Sequence, residues 1–431
     1  MIIFRSAILA PALGLTLAGC MVGPDFRRPE PPATSGYTES PLPEQTAAAP
    51  GRGGEAQRFV AGRDLSAQWW TLFNSDPLDR LVRDALAENP TLAAAQATLR
   101  QARENLAAES GALLFPRVDG NATATRQKTS GASFGQPGAH GNIFSLYNAS
   151  VNVSYALDAF GGNRRQLEGL QSRVDYQRFQ FEAARLSLTA NVVTAAIREA
   201  QLRAQLKATQ EILAAEQRQV ALIEKQFELG ATARLTVTAQ RTQVEQTRAL
   251  LPPLERDLAK TRHQLAVLSG RLPSEATLPE FDLDAIALPQ ELPISVPSSL
   301  TRQRPDVQAA EALLHQASAQ VGVATANEFP KINLTGSFGA QSLQLHSLFA
   351  GPAIWSVGAG LLQPLFRGGE LEARRRAAVA AYDQAEAQYR QTVLLAFQNV
   401  ADALRALEAD ARALKAQSAA TAFARKTLDL T

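Results

Sequence analysis

The side chains that do most protein chemistry are few here and widely scattered. There are four histidines, His140, His263, His315 and His346, and one cysteine, Cys20. The histidines stand at no metal-ligand spacing and read as surface or loop residues. Gly161-Gly162 and Gly368-Gly369 each follow a strand-like run and precede a helical one. Backbone amides can cradle phosphate in that context, but neither pair fits a Walker or dinucleotide pattern. Their equivalent places in the sequence make strand-to-helix turns the better account. No catalytic group, metal site or cofactor site emerges, and the expectation is a protein that is not an enzyme.

Cys20 implies chemistry of another kind. Arg5 makes a short basic start, and Ala7 to Leu17 is an apolar stretch too short to span a bilayer as a folded helix. It ends in Leu17-Ala18-Gly19-Cys20, which looks like a bacterial lipobox, where the cysteine is acylated and becomes the mature N-terminus. Residues 1–19 therefore read as a signal peptide and Cys20 as the lipidation site. A lone cysteine in an exported chain has no disulfide partner, which favours this role. In the lipoprotein sorting pattern that this resembles, Asp after the cysteine favours inner-membrane retention. Met21 instead points to the outer membrane of a Gram-negative cell.

Composition narrows the remaining choices. The chain has 431 residues, a formal net charge of +2, 45% apolar and 19% charged residues. No basic patch or stripe marks a nucleic-acid partner. Aromatic residues make up only 6%, with abundant Ala and Gln, which suggests long helices packed through small side chains. After Cys20 no apolar run is long enough for a transmembrane helix, so any further membrane crossing falls to β-strands.

The chain repeats itself once. Asn89-Pro90-Thr91-Leu92 opens a helical stretch that closes on Phe115-Pro116, and Arg304-Pro305-Asp306-Val307 opens one that closes on Phe329-Pro330. The two offsets are 215 and 214 residues. Each Phe-Pro leads into two strand-like runs and then a very long helical run. The strands are expected at 117–127 and 146–158 in the first copy and at 331–342 and 354–365 in the second. Tyr147, Ala149, Val151, Val153, Tyr155 and Leu157 alternate with Asn148, Ser150, Asn152 and Ser154. Ile332, Leu334, Gly336, Phe338 and Ala340 alternate with Asn333, Thr335, Ser337 and Gln341. Trp355, Val357, Ala359 and Leu361 alternate with Ser356, Gly358 and Gly360. Such alternation fits a soluble sheet with one wet face or an outer-membrane barrel strand. The anchor motif and the helices favour the barrel, with Tyr147, Tyr155, Phe338 and Trp355 as aromatics of its outer face.

The helical runs are expected at 164–229, 234–269 and 370–430. The first, free of proline, would be roughly 100 Å long as a helix, the length of a coiled coil or helical array. Pro252-Pro253 should kink or interrupt the second. Around these elements the domain plan reads as a lipid-anchored extended segment 20–63, repeat 1 at 64–270, a proline-rich linker 271–297 and repeat 2 at 298–431. Within the first segment, residues 30–60 read as poorly ordered. Four strands cannot close in lipid, so the barrel must be shared among subunits. Three chains would give twelve strands and four would give sixteen.

These residues carry a resemblance. Cys20-Met21-Val22-Gly23-Pro24-Asp25-Phe26-Arg27-Arg28-Pro29, Trp69-Trp70-Thr71-Leu72-Phe73-Asn74-Ser75-Asp76-Pro77-Leu78 and Leu300-Thr301-Arg302-Gln303-Arg304-Pro305-Asp306-Val307 resemble blocks of the TolC-like outer-membrane efflux family, in its NodT-type lipoprotein branch. Gln303 stands where Arg is commoner. The resemblance covers nearly everything after the signal peptide. It implies an α+β fold: a homotrimer whose twelve strands form a membrane β-barrel continued by a long periplasmic α-helical barrel. It implies outer-membrane lipid as surroundings, and as partners a periplasmic adaptor and an inner-membrane pump, commonly of the resistance-nodulation-division type. The chain would passively conduct drugs or other toxic solutes. The alternative cargo is protein, in a TolC-like duct for type I secretion. By the same resemblance the turn Leu229-Gly230-Ala231-Thr232 would dock the adaptor, and Arg367 with Arg374-Arg375-Arg376 would be a solvated helix face or lumen charge.

One departure stands out. Aligning Phe160 with Phe366 puts Thr431 opposite Lys225, so the second copy lacks the tip and return helix of the first. The family's acidic gating residues on that helix have no counterpart to assign. The expectation is either a fragment or a product with an incomplete helical tunnel.

Overall fold

Period-two alternation and proline-free helical runs set the elements. The computed structural model describes residues 21–34, 36–51, 53–63, 66–130 and 142–429. Among the described residues, strands β1 (Arg58–Ala61), β2 (Arg117–Lys128), β3 (Ile143–Leu157), β4 (Glu291–Ile294), β5 (Lys331–Ser342) and β6 (Ile354–Leu362) are accompanied by eight α-helices. These are α1 (Asp76–Glu88), α2 (Pro90–Leu114), α3 (Gly162–Glu228), α4 (Arg234–Ala249), α5 (Leu251–Leu268), α6 (Pro297–Gln303), α7 (Pro305–Ala326) and α8 (Glu370–Asp429). The expected return helix is two helices, α4 and α5, because Pro252-Pro253 fits only the first turn of a helix.

The chain forms two compact units. Among the described residues, one comprises 21–29, Leu99–Gln177 and Ala309–Gln391, the other Glu30–Thr98, Arg178–Gln308 and 392–429. Each draws on both sequence repeats. A two-stranded hairpin is marginal alone, so the hairpins of the two copies share one sheet.

In the first unit that sheet is antiparallel throughout, in the order β2-β3-β5-β6. Its central seam pairs β3 with β5, including Val151 with Phe338 and Tyr155 with Leu334. Both outer strands, β2 and β6, are exposed along their whole length.

The second unit holds a conventional core. Leu78, Leu81, Val82 and Ala85 of α1 pack against Leu188, Val192 and Ala196 of α3, with Trp70, Leu265 and Phe281 closing the cluster. The buried Trp70 donates its indole N–H to Asp79 at 2.9 Å. Asn89 is an N-cap: its side-chain oxygen accepts from the amides of Thr91 and Leu92, and its amide donates to the Leu268 carbonyl. Arg304 forks onto Asp306 at 2.7 and 3.0 Å and donates to the Ala396 carbonyl. Desolvation works against the Asp306 carboxylate, but the hydrogen bonds and charge of Arg304 prevail and lower its pKa.

Two short strands lie in the extended N-terminal segment and in the proline-rich linker, one at the end of the 30–60 stretch and one within 271–297. β1 pairs in parallel with β4, from Arg58 opposite Glu291 to Ala61 opposite Ile294. Arg58 and Arg63 both bind Glu291, and the Tyr37 hydroxyl donates to the Ser295 carbonyl. Polar backbone beside a folded unit gains by finding partners, and each segment supplies the other's.

Glu199 ties the same linker to α3. Its side chain is fully buried. It accepts from Arg203 at 2.6 Å, Arg262 at 3.0 Å and the Phe281 amide at 3.1 Å. Glu199→Ala should therefore destabilise this unit by about 3 kcal/mol, the lower end for a broken buried pair because both arginines keep access to water. Thermal unfolding in detergent checks this, and an unchanged melting temperature would show that the network adds no stability.

Candidate functional site: a two-faced sheet and an exposed hairpin

Partners across an antiparallel ladder project to the same face. The register therefore sorts every side chain of the four-stranded sheet. Phe338 pairs with Trp355 and with Val151, and Val151 shares its strand face with Tyr147 and Tyr155. All four aromatics thus lie on one face. Val118, Ala122, Leu334, Val357 and Leu361 join them there. The other face carries Asp119, Asn121, Thr123, Asn148, Asn152, Asn333, Thr335 and Ser337, with Ser337 and Ser356 hydroxyls 2.9 Å apart. The apolar face is not covered: Trp355 is 74% exposed, Val357 81% and Phe338 61%. Contiguous apolar exposure of this kind marks a surface built to meet something apolar.

The strands turn into helices through glycine. Gly161, Gly368 and Gly369 all have positive φ, at 78°, 59° and 82°, where a side chain is strained. Asp158 then caps α3, its two oxygens accepting from the amides of Asn163 and Arg164. The glycine pairs lie in the strand-to-helix turns.

The turn between α3 and α4 is a Schellman cap. The Ala231 amide donates to the Gln226 carbonyl at 2.7 Å and the Gly230 amide to Phe227 at 2.9 Å, with Gly230 at φ 75°. Leu229 is 84% exposed and Leu235, which the sequence reading passed over, 80%. Ala231 is exposed and Thr232 half-buried. Arg241 clips the hairpin by binding Glu224 at 2.6 Å.

Some expected features lie elsewhere. Cys20, with residues 1–19, and His140 lie outside the described residues. His315 is not a simple surface histidine: its Nε2 stands 2.8 Å from Glu168 and its ring stacks on Phe26. Only a contact far along the sequence distinguishes it, and no local pattern could have found it. Arg374, Arg375 and Arg376 each have a carboxylate within 3.2 Å, from Glu370, Glu328 and Glu372. Among the described residues no three metal-binding side chains converge.

An open sheet with one apolar and one polar face, joined in sequence to very long helices, fits a membrane conduit. The model for "Outer membrane efflux protein" matches residues 81–271 and 296–431, and the chain belongs to that family. It is 31% identical over 421 residues to the toluene efflux pump outer membrane protein TtgC of Pseudomonas putida, covering 96% of this chain and 83% of that one. It is 32% identical over 378 residues to the pyoverdine export outer membrane protein OpmQ of the same species, covering 86% and 79%. Among solved structures, the outer-membrane channel OprN matches with a TM-score of 0.79 at 30% identity, over 90% of this chain and 82% of that one. The protein is an outer-membrane efflux channel of a Gram-negative bacterium, and its work is conduction, not catalysis.

The hairpin geometry yields a test. Gly230→Val forces a β-branched residue into positive φ, at a cost of about 1–2 kcal/mol. Amide exchange should speed up over 226–233 and stay unchanged in the sheet. Unchanged exchange at the turn would mean that the backbone relaxes without strain.

Proposed function

We propose that three copies of this chain close a twelve-stranded barrel in the outer membrane and continue it as a periplasmic helical duct for drugs or other toxic solutes. The single observation that carries this reading is the four-stranded sheet with two unpaired edges and two unlike faces. Hydrocarbon tolerates no open edge. Pairing β6 of one copy with β2 of the next removes both edges of every copy. Closure in the other sense would put Trp355 and Phe338 inside and Asn152 and Asn333 in lipid, so the apolar face is outward. The face bearing Asn121, Asn152, Asn333 and Ser337 then lines the lumen. Tyr147 and Tyr155, near the two ends of β3, sit at interfacial depth as barrel aromatics do.

Cys20 carries the acyl anchor in this reading, and an inner-membrane pump, of the resistance-nodulation-division type, delivers cargo through a periplasmic adaptor. The adaptor docks at Leu229-Gly230-Ala231-Thr232, extended by Leu235. Two exposed leucines beside a rigid turn offer apolar surface for a partner to cover. The names of the relatives, which include toluene efflux and antibiotic efflux, support small solutes as cargo.

Native mass in mild detergent tests closure: a species of three chains is expected, and a monomer would overturn the shared barrel. For the tip, Leu229→Asp with Leu235→Asp should weaken adaptor binding about tenfold, equivalent to about 1.4 kcal/mol, with native mass unchanged. Undiminished binding would remove the tip from the docking surface.

A further inference from the structure

The segment Met21–Pro29 lies in a seat built by the first turns of α3 and by α7. The Val22 amide donates to the Phe160 carbonyl at 3.1 Å. Arg165, with its side chain only 1% exposed, reaches across the segment. Its Nε donates to the Val22 carbonyl and its Nη2 to the Gly23 carbonyl, both at 3.3 Å. Nη2 also donates to Asp25 at 2.7 Å, while Nη1 binds Glu168 at 2.8 Å. Two glycines make the fit. Gly23 has φ 89°, and a Cβ there would stand 2.5 Å from Gly322 Cα. A Cβ on Gly322 would stand 2.8 Å from Arg165 Cγ and Cδ. Further along, Phe26 stacks on His315 at 4.2 Å with a 13° tilt, and Arg28 binds Glu311 at 2.6 Å.

This differs from a strap held by surface ion pairs, which contribute little. The key cation is buried, and burial alone would disfavour its charge. Hydrogen bonds and charges from Glu168 and Asp25 outweigh that, and its pKa is raised. Two of its acceptors are consecutive main-chain carbonyls. A planar fork that binds consecutive carbonyls and the Asp25 carboxylate reads the position of the backbone and tolerates no slip.

We propose that Arg165 and the Gly23–Gly322 contact form a register site that locks Met21–Pro29 onto the turn after β3. The site fixes, beside Gly161, the point at which the acyl-bearing end leaves the fold. The second statement rests on the lipid-anchor reading, while the lock itself does not. Released, nine residues would let that end wander by roughly 30 Å. Seated, the anchor and the sheet share one reference point, so acylation sets the depth of the sheet in addition to tethering the chain.

Trypsin tests the lock. Within Met21–Pro29 it can cut after Arg27, since Pro29 protects the bond after Arg28. The full chain, purified from outer membranes in mild detergent, is digested as wild type, Arg165→Met and Gly322→Ala. Release of the fragment ending at Arg27 should be about tenfold faster in both variants, with native mass and helix content unchanged. Alanine is the better helix former, so faster release from Gly322→Ala cannot be laid to a weakened α7, and this variant decides the matter if Arg165→Met does not fold. Glu199→Ala, which loosens the other unit, should leave the rate at Arg27 unchanged. Wild-type rates in folded variants, or equal acceleration by Glu199→Ala, would overturn the lock. The mass of the released fragment reports separately on acylation: an unacylated fragment would end the anchor reading and leave the protection rates to judge the lock.

Discussion

Everything in the sheet follows from the need of a strand edge for partners. Among the described residues β2 and β6 each have a neighbouring strand on one side only, and the N–H and C=O groups of the other side need partners. Water serves a soluble sheet, but lipid offers nothing. In the proposed barrel the unmatched edges therefore call for assembly, and assembly calls for the rest. A closed sheet has an inside and an outside, so each strand needs one apolar and one polar face. The pairing of Val151 with Phe338 and of Phe338 with Trp355 keeps three strands in phase across that requirement. A slip of one residue at the β2–β3 or β3–β5 seam would bring asparagines onto the face of Phe338 and Trp355.

How much of this was legible in the sequence depended on the range of the interactions. Strand faces were legible because alternation is local: the residues grouped as apolar on 146–158 and 331–342 share a face in the ladder. The long helices were legible because nothing in them breaks a helix. The interruption at Pro252-Pro253 was legible too, since proline acts on its own turn. Contacts between distant segments were not. Nothing near Arg58 announces that it will pair with Glu291, and the proline-rich stretch around Glu291 argues locally against a strand. Only parallel pairing of the two segments makes either regular.

The same limit explains the charged and aromatic residues that were misread or passed over. Glu199 sits among the Ala, Gln and Arg of α3 and looks like one more solvated carboxylate. It is buried because two arginines and one amide from three separate segments meet there. His315 looks isolated because its partners, Phe26 and Glu168, stand 289 and 147 positions away. Leu235 looked like an ordinary helix residue because exposure of a leucine at a tip is a property of the hairpin, not of its own neighbours in sequence.

The blocks that carry the family resemblance turn out to be fasteners, and this fits a protein that conducts. Trp70 and Leu78 close a core, with Asp79 holding the indole. Arg304 and Asp306 bind each other, and Arg304 reaches the carbonyl of Ala396. Gly23, Asp25, Phe26 and Arg28 hold the first described residues against α3 and α7. An enzyme concentrates its demanding residues where bonds change. A conduit has no such place, and its function is a shape that must hold under the passage of solute. Its most demanding positions are then those where chain segments distant in sequence are locked into one register, and these positions join elements instead of lining a reaction site.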